Sequence, residues 1–237
     1  MQAKLKKMVK KTDKTEEKIT AVEQALSKSE MFIEQNRKIL SIIVLVIVLV
    51  IVAFFVARRF LIDVRSEEAK SLIYKAEQYF EMDSLRLALE GDGVYPGFLE
   101  IISEYRWTKP ARLSHYYAGV IYLRQGEYEE AKRHLRRFRG DDFIVKNMAI
   151  AGIGDAYWGL GEPAKAAKYY LKAARRNQND FTTPVFLMRA ALCFEELNEW
   201  QKAIDIYERI RQEHFNTQEG REAERHIAFA KEMLINQ

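Results

Sequence analysis

The hydrophobic pattern changes character twice along the chain. Residues 1–38 are polar. From Ile39 to Ala57 come nineteen residues of which only Ser41 is not apolar. At 1.5 Å per residue, a helix of that length spans about 28 Å, close to the hydrocarbon thickness of a bilayer. A helix also satisfies its own backbone groups inside lipid, so the run predicts a transmembrane helix despite its many Val and Ile. Beyond it, amphipathic stretches alternate with Gly, Pro and Asn turns, which predicts an all-α domain.

That later pattern repeats. Gly119, Tyr122, Gly126 and Ala131 recur 35 residues on as Gly154, Tyr157, Gly161 and Ala166, and 37 residues further as Ala191, Phe194, Asn198 and Ala203. Small residues at Gly119, Gly154 and Ala191 let two helices approach closely, and Tyr122, Tyr157 and Phe194 fill the space between them. Gly126, Gly161 and Asn198 can take the left-handed conformation that ends a helix. Ala131, Ala166 and Ala203 sit where the second helix passes close to the first. These spacings are similar to the tetratricopeptide repeat. The resemblance implies an α-solenoid of about four helix pairs with a C-terminal capping helix, behind the transmembrane helix.

The expected organisation is a basic helical tail (1–38), a transmembrane helix (39–57), a degenerate repeat-like unit (64–110), three repeats (111–145, 146–182 and 183–216) and a capping helix (217–235). In the tail, Ile19, Val22, Leu26 and Ile33 keep an a/d-like spacing that Ser29 and Asn36 interrupt, which suits a helix continuing into the span better than a coiled coil. In the degenerate unit, Ser66 to Met82 reads as one helix and Asp83 to Gly97 as a long polar turn. Glu90 and Asp92 are candidate calcium ligands there, but the turn lacks the carboxylate ladder of an EF-hand, so a structural turn is expected. Thr217 is expected to cap the last helix, whose Ile227, Ala230, Met233 and Leu234 can cover the end of the stack.

Charge changes this picture only at the anchor. Residues 1–38 hold ten Lys or Arg against six Asp or Glu, whereas Phe60 onward holds 26 against 28. A slightly acidic folded part is a poor nucleic-acid binder, so no nucleic acid is expected as a partner. A cleaved signal peptide fits badly, because a long tail precedes the run, the run exceeds the about 7 to 15 residues of a signal core, and Arg58-Arg59 follows it without a small-residue cleavage site. Lys28, Arg37 and Lys38 before the span nearly balance Arg58, Arg59, Arg65 and Lys70 after it. The whole tail is strongly basic, however, and long domains translocate largely regardless of charge. The expected topology is therefore tail in the cytoplasm and domain outside.

The residues offer little chemistry. His115, His134, His214 and His226 form no His-x-x-x-His pair, the single Cys193 excludes a cysteine cluster, and no phosphate loop or nucleophile elbow is present. No catalytic residue, metal or cofactor is expected, and the chain does not read as an enzyme. Cys193 falls on an apolar helix face as a packing thiol. Lys132, Arg133, Arg136, Arg137 and Arg139 cluster on one helix, where Glu127, Glu129 and Glu130 supply i, i+3 and i, i+4 partners and predict a solvated face.

In repeats of this kind the first helix lines the inner groove. The groove positions read Leu113, Tyr116 and Val120, then Met148, Ala151 and Asp155, then Val185, Met188 and Leu192, of which eight are apolar. The Lys and Asn donors that grip a terminal carboxylate are missing. The expected ligand is an extended or helical apolar segment of a protein partner, and the chain's own closing helix or a second copy is the competing occupant.

An uncleaved anchor followed by such repeats resembles the ancillary subunit of the bacterial SecYEG translocon and related anchored tetratricopeptide proteins of Gram-negative envelopes. Leu87 to Ile102 together with His115-Tyr116-Tyr117-Ala118-Gly119 looks like one bacterial subgroup of them. The resemblance implies a single-pass inner-membrane protein with a periplasmic repeat domain. Its partners would be the Sec translocon, periplasmic chaperones or unfolded client chains, and its role chaperone-like or recruiting. The alternative is a structural scaffold for another envelope assembly, in outer-membrane biogenesis, cell division or a dedicated secretion system.

Overall fold

The computed structural model describes residues 34–176 and 178–236. The polybasic stretch and the a/d-like spacing of the tail lie largely outside the described residues. Ten helices make up the described chain. They are α1 (Arg37–Glu81), α2 (Leu85–Glu90), α3 (Phe98–Glu104), α4 (Lys109–Gln125), α5 (Tyr128–Arg137), α6 (Phe143–Gly159), α7 (Pro163–Arg175), α8 (Thr183–Glu196), α9 (Trp200–Glu213) and α10 (Gln218–Ile235). Among the described residues there is no strand, only an isolated bridge between Gly91 and Pro96. The protein is all-α. It divides into two compact units, one ending at Phe60 and one running from Leu61 to Gln237.

In the first unit the apolar run is fully helical, and Ile39 to Val56 present their side chains outward. The helix is long and apolar enough to cross a membrane. It continues without a break to Glu81, whereas the sequence pattern suggested a separate helix from Ser66. The reason is local: Arg58 to Arg65 contains neither Gly nor Pro, so nothing interrupts the hydrogen-bond ladder.

The second unit is built from helical hairpins. From α4 to α10 each helix packs on the next. Starts are fixed by side-chain caps: the backbone N–H of Ala111 donates to Thr108 Oγ1 (3.3 Å), that of Val145 to Asp142 Oδ1 (2.9 Å) and that of Gly220 to Thr217 Oγ1 (3.1 Å). Pro110, Pro163 and Pro184 occupy first turns, where a missing N–H costs nothing. The turns inside the three hairpins pass through left-handed conformations at Gly126 (φ 79°), Gly161 (φ 71°) and Asn198 (φ 56°).

Close approach is the packing rule. A β-carbon on Gly119 would lie 2.6 Å from Leu135 Cγ, and one on Gly154 would lie 2.8 Å from Tyr170 Cε1. Ala131, Ala166, Ala191 and Ala203 have no exposed surface at all. One core runs from Leu135 through Tyr170 and Leu187 to Ile227, and a second gathers Ile73, Ala88, Phe98, Ile101 and Ile121. In the second core Phe98 stacks on Tyr117 with ring centroids 4.8 Å apart. Helix α10 closes onto α9 through Trp200, Ile204 and Ala230, but Met233 and Leu234 in its last turns remain exposed. They therefore cover less of the stack end than their spacing suggested.

The segment after Met82 is shorter as a loop than the Gly and Pro content suggested, because Leu85 to Glu90 form α2 and bury Ala88 and Leu89. What remains outside helices is a tight turn at Asp83 (φ 55°) and the loop from Gly91 to Gly97. There Asp92 accepts from the N–H groups of Val94 (2.8 Å) and Tyr95 (2.6 Å) and from the Tyr79 hydroxyl (2.5 Å). The Tyr79 hydroxyl, then these backbone donors, hold the Asp92 carboxyl down to about 2. Glu90 faces Arg86 at 3.6 Å. The two carboxylates serve their own turn and helix, as a structural turn requires.

Candidate protein-interaction face

The first helix of each hairpin (α4, α6 and α8) carries the nine groove positions. Leu113, Tyr116, Val120, Val185 and Met188 are half-buried, and all of these except Val120 pack against the larger core. Met148 and Leu192 are 44% and 39% exposed, too much for a side chain held in a core. Ala151 is buried and supplies clearance rather than contact surface. Apolar surface is thus offered along α4, α6 and α8, with Met148 and Leu192 its most open members.

Neighbouring first helices are tied across this face. The Tyr116 hydroxyl approaches Met148 Sδ at 3.8 Å, linking α4 to α6. Asp155 Oδ1 accepts from Arg189 Nη1 (2.6 Å) and from the Tyr170 hydroxyl (2.7 Å), linking α6 to α8 and to its own partner α7. The one charged groove position is thereby answered within the protein. Arg189 escaped the sequence reading, although an opposite charge one repeat beyond Asp155 was the available signal.

Electrostatics keeps the interior neutral. Burial first, and the Asp155 carboxylate second, push the Tyr170 phenol far above its ordinary range. The same two causes push the Cys193 thiol up to about 12, so this fully buried cysteine is a packing group and not a nucleophile. Tyr207 stands one repeat after Tyr170 and also hydrogen-bonds a first-helix carboxylate, Glu195 Oε1 at 2.9 Å. His115 and His134 face each other with Nδ1 atoms 3.1 Å apart. Burial pushes both imidazoles down to about 4, aided at His115 by His134 and at His134 by Arg133 and Arg137. Among the described residues no three His, Cys, Asp or Glu side chains are grouped to hold a metal ion.

The basic cluster on α5 divides. Arg133 pairs with Glu130 as a solvated face would, whereas Lys132, paired with Glu129 at 2.7 Å, is largely covered and lies over the Tyr157 ring. Arg136 instead reaches across to α6 and α7, donating to the hydroxyls of Tyr157 (2.6 Å) and Tyr169 (3.5 Å). Arg136 lies on the same face as Glu129 but seven residues, about two turns, beyond it, out of reach of an i, i+3 or i, i+4 pair, so tyrosine hydroxyls answer it instead.

Comparison with protein families agrees with this architecture. Residues 114–141 and residues 152–214 each match a family model described as tetratricopeptide repeat. Comparison with curated proteins and with solved structures found no match. The matched residues cover most of α4, all of α5, the second half of α6 and α7 through α9, so tetratricopeptide repeats are found in these hairpins, and such repeats indicate a protein–protein interaction module.

Proposed function

We propose that this chain is a membrane-anchored interaction protein whose repeats hold apolar segments of protein partners outside the cytoplasm. Its most specific role on this reading is that of a chaperone-like or recruiting accessory subunit of the Sec export machinery in a bacterial inner membrane. The observation that carries the reading is the pairing, on one chain, of a helix long and apolar enough to cross a membrane with a repeat face whose first helices leave Met148 and Leu192 open. Methionine and leucine adapt to varied apolar sequences, which suits a holder of unfolded chains. The face carries no free amide or ammonium donors for a terminal carboxylate, since Asp155 is its one charged position and is matched by Arg189. The anchor keeps such a face beside the membrane, where exported chains emerge.

Photo-crosslinkers placed at Met148 and Leu192 in native membranes, read by mass spectrometry, test this role. Crosslinks to the Sec channel, to periplasmic chaperones or to nascent exported chains are expected. Crosslinks confined to an outer-membrane, division or dedicated secretion assembly would replace the role with that of a scaffold.

A further inference from the structure

The helices α5, α6 and α7 enclose a second groove, of about 560 Å³, on residues that the interaction face does not use. Six cations line it: Arg112, Arg136, Arg139, Lys146, Lys172 and Arg176. They come from α4, α5, the linker after α5, α6 and the end of α7, and Asp141 is the lone carboxylate among them. None of the six is ion-paired to a described carboxylate. Arg136 is held by two tyrosine hydroxyls, Arg139 Nη1 donates to the carbonyls of Arg136 (2.6 Å) and Phe138 (2.9 Å), and Lys172 lies over the Tyr169 ring. Arg112 Nε is buried without a hydrogen-bond partner. Six cations against one carboxylate leave the concavity with a net positive charge, which attracts an anion entering it.

The floor is of another kind. Leu135, Ala149 and Ile153 are buried beneath the cations and Ile150 is half-buried. Across the Phe138–Asp141 linker lies an apolar cavity of about 300 Å³, lined by Ile73, Pro110, Leu113 and Val145 and sharing Arg112, Phe138 and Arg139 with the groove. A phosphate ion would engage the cations and leave the neighbouring apolar cavity empty. A peptide carrying Asp or Glu beside Leu or Phe would use both.

We propose that this groove is a second protein-docking site, which takes an acidic segment with interspersed apolar side chains from a partner protein. Carboxylates pair with the rim, where Arg136 and Arg139 are already oriented, and an apolar side chain enters the neighbouring apolar cavity. The site uses another ligand chemistry than the Met148 and Leu192 face and, Leu113 apart, other residues, so either can fail alone.

The test uses the full chain in neutral phosphatidylcholine nanodiscs and a fluorescent peptide of alternating Glu and Leu, followed by polarisation. Saturable binding that weakens with rising salt is expected. The double reversal Lys172→Glu with Arg176→Glu should weaken it about tenfold or more, and Lys172→Gln with Arg176→Gln should weaken it less, in the same direction. The reversal Lys168→Glu with Arg175→Glu, exposed on the same helix but outside the groove, should change it by less than about twofold. Equal loss from that control, undiminished binding by the groove variants, or equal binding of a Gln-Leu peptide would overturn the proposal. So would displacement of the peptide by inorganic phosphate, or groove variants that lose binding to phosphatidylserine vesicles and keep the peptide.

Discussion

The ring of Tyr170 stands 2.8 Å from the point where a β-carbon on Gly154 would lie. The Tyr170 ring can pack directly on the α6 backbone because Gly154 has no side chain there. The arrangement recurs one repeat earlier, where Leu135 fills the space over Gly119. Substituting Gly154→Leu should therefore cost about 1 to 3 kcal/mol by overpacking, even though leucine favours a helix more than glycine does. Thermal unfolding followed by circular dichroism checks it: a drop of several degrees is expected, and an unchanged midpoint would remove the contact from the account.

Features repeated at a fixed period could be read from the sequence, because a repeat presents its packing constraints several times. Gly126, Gly161 and Asn198 stood in register, and each has a positive φ in the structure. Helix α2 was hidden for the opposite reason. It is six residues long, too short to display a helical period, and Gly91, Gly93 and Pro96 follow at once. The basic groove was hidden only in part. Of the basic cluster the sequence displayed, Arg136 and Arg139 line the groove while Lys132 and Arg133 are paired along their own helix, and Arg112, Lys146, Lys172 and Arg176 join them only by hairpin stacking.

Asp155 joins three helices, and its removal should be felt by its buried partner. Asp155→Ala would leave the Tyr170 hydroxyl without its acceptor, a cost of about 1 to 3 kcal/mol for a buried polar group. Arg189→Ala removes only a partly exposed ion pair and should cost less than about 1 kcal/mol. Urea unfolding of the two variants checks the order. Equal losses would mean that Arg189, not Tyr170, is the partner that matters.

The facing imidazoles of His115 and His134 make stability depend on pH in a definite window. Both are pushed down to about 4 in the folded chain, against an ordinary value near 6.5, so between these limits the unfolded chain binds more protons. Stability should be full above about 6.5 and fall as pH drops toward 4. Urea midpoints at pH 7.5, 6 and 5, compared with His115→Gln, isolate the pair from carboxylates, which titrate lower. A wild-type midpoint that holds steady over this range, or falls no more steeply than that of the variant, would contradict the neutral pair.

The central claim is that the first helices grip apolar protein segments, and a binding titration addresses it most directly. The full chain in neutral nanodiscs would be titrated with a labelled, extended Leu- and Val-rich peptide and with a peptide ending in acidic residues and a free carboxylate. The apolar peptide should bind, and Tyr116→Ala, Met188→Ala and Leu192→Lys should each weaken it by about tenfold, the loss of one apolar contact. Selective binding of the acidic C-terminal peptide that survives in Lys172→Glu with Arg176→Glu, or apolar binding unaffected by all three substitutions on the face, would contradict the claim.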